Sequence, residues 1–245
     1  MISDLIYDVG LHTGEDTAYY LNQGYRVVAI EANPLLVEQC RKRFENAIAS
    51  GRLHILPIGI AGHTGFVPFF IHPTKDDWSS TVEASGWRAT NIGGGGTVAG
   101  IRIDAPCCTF DVILKHYGMP YYIKSDIELG DEHILQALHL FDPKELPKYI
   151  SIEAHTLNYL VELSKLGYTD FKIVDQTQHN VAPKKTNVTF PAEHSSGAFG
   201  EQAKGEWAGI NQIAYEWLHD VNGHAERSAY LTAGSWHDFH ARRPD

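Results

Sequence analysis

Leu5-Ile-Tyr-Asp-Val-Gly-Leu-His-Thr-Gly-Glu-Asp, taken with the later Arg26-Val-Val-Ala-Ile-Glu-Ala-Asn-Pro, carries the reading of the fold. It predicts an apolar strand, a turn with glycines at Gly10 and Gly14, a helix, and a second apolar strand ending in an acid. That is the pattern of an adenosine-binding α/β half-domain. The turn lets the backbone approach a ligand closely, and the acid lies where it can take both hydroxyls of a ribose. A dinucleotide fingerprint would read G-x-G-x-x-G. Here three residues separate the two glycines and no third follows. With Asp8 ahead of the turn and Glu31 about twenty residues after it, the spacing fits S-adenosylmethionine (SAM) better than NAD. The expected cofactor site is Asp8, Gly10, Gly14, Glu31 and Asn33, with Ile58 and Ile60 near the adenine.

Outward from this segment the chain alternates. Helix is expected over 15–22, and another from Pro34, which suits a first helical position. In that second helix Leu36, Cys40, Phe44 and Ile48 form one apolar stripe, and Gly51 is placed to end it. A third strand follows over 52–60, then a hairpin arm over 66–71. Strands resume at 98–103, 121–126, 148–153 and 171–174. Helices between them carry Phe110, Ile113, Leu114 and Tyr117, then Ile134, Leu135, Leu138 and Phe141, then residues 157–166 up to Gly167. Strands alternating with helices imply a doubly wound, mostly parallel sheet. The polar stretch 73–100, with Trp78, Trp87 and Gly93 to Gly96, reads as either a lid or a surface excursion. The tail from 179 has one helix candidate at 211–221 and a glycine loop, Ser195 to Gly200, which either packs across the strand ends or forms a dimer arm.

Three segments resemble, in order, the signatures of the FkbM-family methyltransferases: Tyr7-Asp8-Val9-Gly10, Ile30-Glu31-Ala32-Asn33-Pro34, and Tyr122-Ile123-Lys124-Ser125-Asp126-Ile127-Glu128. Tyr149-Ile150-Ser151-Ile152-Glu153 and Gly167-Tyr168 resemble that family's late strand and the Gly-Tyr after it. The resemblance spans roughly residues 5 to 175 and implies a class I, Rossmann-like methyltransferase fold with SAM as cofactor. One departure stands out. Where the family continues from Glu128 with glycine, this chain has Leu129-Gly130-Asp131, so its local turn is expected to differ.

Composition narrows the partners. The 245 residues are 43% hydrophobic and 20% charged, enough for one sizeable domain with a proper core. The division expected is a SAM-binding domain over 1–178 and a C-terminal extension over 179–245 packed on it. Thirty acidic against 20 basic residues give a net charge of −10 with no basic patch, which disfavours nucleic acid and favours a small-molecule or glycan acceptor. Three cysteines, two of them adjacent, offer no disulfide framework. With no leader-like or membrane-spanning run, a cytoplasmic protein is expected.

A second site is expected from two neighbouring strands. Asp126 and Glu128 are two apart, as are Glu153 and His155, so on extended strands each pair shares a face. Adjacent strands would gather all four outside the carboxyl ends of the sheet, where ligands of open α/β sheets bind. Three carboxylates and a histidine repel unless compensated, by Lys124, a shifted proton or a hard divalent cation. Three readings stay open: general-base catalysis by Asp126 or His155, with Glu128 beside them; a metal held by Asp126 and Glu153; or a purely structural role. His12 is the other histidine singled out, by its place in the glycine turn. The absence of H-E-x-x-H, C-x-x-C and G-x-S-x-G argues against a structural zinc and a serine nucleophile, and Cys107-Cys108 after Pro106 reads as an edge segment.

The expected activity is SAM-dependent O-methylation of a hydroxyl on a sugar-containing or secondary-metabolite acceptor. A non-catalytic SAM- or ligand-binding module and a nucleotide-cofactor oxidoreductase are the rivals.

Overall fold

The structure is a computed structural model that describes residues 1–72, 79–81, 100–176, 196–221 and 236–244. Most of the 73–100 stretch, including Trp78, Trp87 and the glycine run, lies outside the described residues, as do Ser195 and much of the tail. A seven-stranded sheet runs in the order β3 (Leu53–Leu56), β2 (Arg26–Ile30), β1 (Ile2–Val9), β7 (Pro120–Ser125), β8 (Tyr149–Glu153), β10 (His237–Arg242) and β9 (Asp170–Asp175). All pairings are parallel except those of β10, which runs antiparallel to both neighbours. The expected doubly wound, mostly parallel α/β sheet is therefore present. From β1 the chain winds outward to β2 and β3, and later returns to β7 on the other side. The crevice at the carboxyl ends of β1 and β7 is thus the topological switch point, where such sheets bind ligands.

The seventh strand is the largest departure from the sequence reading. Residues 237–242 leave the tail and enter the sheet between β8 and β9. Their alternation explains it: Phe239 and Ala241 are fully buried on one face, while Asp238 and His240 take the other.

Strand registers sort the side chains into two cores. On one face Tyr7, Val9, Ile123, Ile150, Ile152 and Phe239 pack under α4 (Phe110–Tyr117), α5 (Glu132–Leu138), α6 (Leu157–Lys165) and α7 (Ile210–Glu216). On the other, Ile6, Val27, Ala29, Tyr122 and Tyr149 pack under α1 (Glu15–Asn22), α2 (Pro34–Arg43) and α3 (Glu45–Ala49). Phe199 joins this second core from the C-terminal segment, stacking on Tyr122 with ring centroids 4.0 Å apart and planes within 6°. A buried aromatic pair of this kind adds about 0.5–1.5 kcal/mol beyond its area.

Helix limits follow local chemistry. Asn33 caps α2 by accepting from Leu35 N at 3.1 Å, with Pro34 at the first position. The expected stripe Leu36–Ile48 breaks at Phe44, so α2 and α3 are separate. The expected third strand also divides. Residues 53–56 stay in the main sheet, and β4 (Gly59–Ile60) joins a three-stranded sheet with β5 (Gly65–Ile71) and β6 (Ile101–Cys108). β6 lies between the other two, so Cys107 and Cys108 occupy a central strand rather than an edge. Ile60, expected near adenine, is buried in the first core. Among the described residues no helix is long and apolar enough to cross a membrane.

Candidate active site

The turn after β1 is built from left-handed residues: Gly10 at φ 91°, His12 at 49° and Gly14 at 87°. Gly10 is required by crowding as well as by φ. A Cβ there would lie 1.9 Å from the carbonyl oxygen of Asp126, and at Gly14 it would lie 2.5 Å from the ring of Phe44. The turn is tied to β2, since Gly10 N and Leu11 N both donate to the Ile30 carbonyl at 3.0 Å. Glu31 completes the tie. Its Oε2 accepts from His12 N at 2.9 Å and its Oε1 from Asn33 N at 2.8 Å. Burial raises the Glu31 pKa, against the pull of those two backbone donors. Glu31 is thus a clamp on the glycine turn, and each oxygen keeps a lone pair for a further donor. The side-chain oxygen of Asn33 is used in capping α2, and the His12 backbone in binding Glu31.

Beside the turn lies a buried lysine. Lys124 on β7 is directly opposite Asp8 on β1, and its Nζ donates to the Gly10 carbonyl at 2.9 Å. The same Nζ lies 3.6 Å from Asp8 Oδ1, 3.7 Å from Asp16 Oδ2 and 3.6 Å from Asp126 Oδ2. Burial alone would lower its pKa, but Asp126, Asp8 and Asp16 outweigh that and hold it well above the ordinary value. Asp8 is fully buried and accepts from Thr17 Oγ1 at 2.6 Å. Burial pushes its pKa up to about 7, with Lys124 opposing and Asp16 adding to the rise. Asp16 in turn holds the C-terminal segment, accepting from Ser196 N at 3.0 Å and Gly197 N at 2.7 Å.

The four residues expected in one cluster divide between two. β7 ends at Ser125, so Asp126 and Glu128 follow the strand instead of continuing it, and the i, i+2 argument fails for them. Asp126 turns its carboxylate to Lys124. Glu128 reverses through φ 52°, with Leu129 at 72°, and arrives beside β8. There Glu128, Glu153 and His155 place one ligand atom each within 4.8 Å of one another. Asp126 is not a member of that group, and its Oδ2 lies 3.6 Å from Lys124 Nζ. His155 Nε2 lies 2.8 Å from Glu153 Oε2. Burial would lower the His155 pKa, but Glu153, helped by Asp131 and Glu128, raises it to about 9.

Three acids at this edge were not singled out from sequence as site residues. Asp16 is an acid in the first turn of α1. Asp131 is fully buried and accepts from Ser125 Oγ, and burial pushes its pKa up to about 6. Asp238 stands directly opposite Glu153 and accepts from Gln176 Nε2 at 2.6 Å; burial, with Asp126 and Glu153, raises its pKa well above the usual carboxylate range. The polar–apolar alternation of residues 236–242 is the one signal that could have found it.

Among the described residues, Asp8, Asp16, Asp126, Glu128, Asp131, Glu153 and Asp238 therefore share the switch-point edge with two cationic groups, Lys124 and His155. This excess of carboxyl groups fits a positively charged ligand. SAM carries a sulfonium and an ammonium, and its ribose needs an acceptor such as Glu31, so the residues present fit that cofactor.

The family model for the methyltransferase FkbM domain matches residues 8–211, most of the chain. Among solved structures, methyltransferase FkbM from Methylobacillus flagellatus KT is 20% identical, with a TM-score of 0.43 over 66% of this chain and 36% of that one. This chain thus spans about a third of the length of that protein. Precorrin-6y C5,15-methyltransferase from Geobacter metallireducens GS-15 is 13% identical, with a TM-score of 0.40 over 100% of this chain and 82% of that one. An rRNA methylase from Streptococcus thermophilus is 8% identical, with a TM-score of 0.42 over 99% and 88%. No curated protein matches the sequence. The family match extends from the glycine turn through both carboxylate groups to α7, and on it this chain belongs to the FkbM-domain family of SAM-dependent methyltransferases.

Proposed function

We propose that this chain transfers the methyl group of SAM to a hydroxyl oxygen of a small-molecule or glycan acceptor, in the class of sugar-containing or secondary metabolites. The observation that carries this reading is the carboxylate excess at the switch point, set against the Gly10–Gly14 turn and the Glu31 clamp. When bound, SAM supplies an electrophilic methyl on a positively charged sulfur. The residues present then have three tasks.

Glu31 accepts from the ribose hydroxyls and keeps the turn closed. Lys124 holds the Gly10 carbonyl and fixes the Asp126 carboxylate at the seam between β1 and β7. Asp126 takes the proton of the attacking hydroxyl. It suits that task by position, because its side chain is 23% exposed whereas Asp8, Asp16 and Lys124 are nearly sealed. Alignment of the acceptor contributes most of the rate, out of roughly 7–11 kcal/mol available from proximity, and a base adds about 10²–10⁴-fold.

The test is Asp126→Asn. Asparagine keeps the shape and one acceptor oxygen but cannot take a proton. Methyl transfer to a panel of glycosides should fall by about 10²–10⁴-fold, while affinity for S-adenosylhomocysteine stays near that of the wild type. Undiminished transfer by the variant would remove Asp126 from the chemistry. Wild-type protein that binds SAM yet methylates no hydroxyl acceptor would favour a binding module.

A further inference from the structure

We propose that Glu128, Glu153 and His155 form a binding site for a divalent cation of the Mn²⁺ type, distinct from the Lys124 group. This inference deepens the methyl-transfer reading, since a cation there would sit beside the acceptor and hold its hydroxyl oxygen.

One atom from each of the three side chains lies within 4.8 Å of the others. An octahedral ion with bonds of about 2.1 Å sets opposite ligands about 4.2 Å apart, so small side-chain adjustments close the site. The backbone is arranged to bring them there. Glu128 reaches β8 only because its residue adopts φ 52°, and its carbonyl is held by the Ser80 hydroxyl at 2.5 Å. A left-handed non-glycine residue costs roughly 1–2 kcal/mol, and it persists only where neighbours enforce it.

Asp238 is 1% exposed and directly opposite Glu153 in an antiparallel pair, so the two side chains stand together on one face. One of its oxygens accepts from Gln176 at 2.6 Å, and Ser196 also acts on its carboxyl. Buried carboxylate oxygens are normally satisfied. Asp131, fully buried beside His155, has Oδ1 bonded to Ser125 and Oδ2 with no hydrogen-bond partner among the described residues. Among the described residues, Glu128, Glu153 and Asp131 thus act on one imidazole, and Asp131 keeps an unused buried oxygen.

The donor set indicates the ion. Carboxylates favour Mg²⁺, Ca²⁺ and Mn²⁺, whereas imidazole favours the transition metals, and Mn²⁺ satisfies both. Asp131 then stands behind the ligands, where a group of this kind orients them.

The experiment is titration of Mn²⁺ into the full chain without SAM, read by the loss of free-ion EPR signal and by calorimetry. One saturable site per chain is expected. Glu153→Gln and Glu128→Gln should each weaken it by at least about tenfold, with circular dichroism confirming the fold of each variant. Absence of saturable binding overturns the proposal, as does equal affinity in wild type and in whichever variants fold. Affinity for S-adenosylhomocysteine, measured on the same samples, separates the two readings. Mn²⁺ bound without S-adenosylhomocysteine sinks the methyltransferase proposal and keeps the site, and the reverse result sinks the site alone.

Discussion

Lys124 Nζ donates to the carbonyl of Gly10 at 2.9 Å, so the strand that carries the third signature segment holds the turn of the first. The ammonium is 5% exposed in its side chain and stands between Asp8, Asp16 and Asp126. Taking a lysine out of water is unfavourable unless the interior returns the lost interactions. Here one hydrogen bond and three carboxylates return them.

Lys124→Met should therefore be among the most damaging single changes in the chain. Removing one partner of a buried ionic group costs about 3–5 kcal/mol, because the charges left behind are uncompensated. For a chain of this size that lowers Tm by on the order of 10 °C. The double variant Lys124→Met/Asp8→Asn should recover part of the loss, since it restores charge balance. A thermal-melt double-mutant cycle checks this, and strictly additive effects would mean that the two groups do not interact.

The order of the main elements, the glycine turn, the ribose acid and the Lys124–Glu128 signature were legible because each is local and periodic. Glu15 to Asn22 is a helix as read, and Gly51 and Gly167 end theirs at φ 70° and 93°. What failed depended on distant partners. Residues 237–242 carry the alternation of a strand, but their place between β8 and β9 depends on partners far away in the chain. The placing of Asp126 and Glu128 on one strand face failed because the strand stops at Ser125, after which a left-handed pair redirects the chain. The role of Asp16 needed the knowledge that Ser196 and Gly197 come back to it from 180 residues away.

Leu129 is the position where glycine was expected and leucine stands, and its φ of 72° is left-handed. Comparing Leu129→Gly with Leu129→Ala isolates the backbone, because both remove the half-buried side chain. The glycine variant should be more stable by about 1 kcal/mol. Equal melting temperatures would show that the turn relaxes to an unstrained conformation.

Asp8 gives a pH signature. Its carboxyl titrates near 7 in the folded protein against 3.8 when unperturbed, chiefly through burial. The folded state therefore holds a proton that the unfolded state releases between these values. Its contribution to stability is complete below pH 4 and is lost as pH rises through 7. The groups that act on it are Lys124 from β7, Thr17 and Asp16 from α1, and Asp126 beyond β7. Asp8→Asn cannot ionise, so its Tm relative to wild type should be more favourable at pH 8 than at pH 5. Each kcal/mol of difference moves Tm by about 2–4 °C. A difference that is flat with pH would mean that Asp8 is ionised throughout this range.

Glu31 has two roles that one substitution can separate. As the clamp it satisfies His12 N and Asn33 N, so its loss should cost stability even with no cofactor present. As the ribose acceptor its loss should weaken S-adenosylhomocysteine by the worth of hydrogen bonds to a charged group, about 1.5–3 kcal/mol, or roughly 10- to 150-fold. Glu31→Ala should show both effects. Glu31→Gln keeps one acceptor oxygen and turns an amide N–H₂ toward one of the two backbone donors, so it too should lower Tm. Melting curves without ligand and calorimetric titration with S-adenosylhomocysteine read the two roles apart. A lowered Tm with unchanged affinity would leave Glu31 as a clamp alone and place the ribose elsewhere. Weakened binding with an unchanged Tm would show that the turn holds its shape through the Ile30 carbonyl without help.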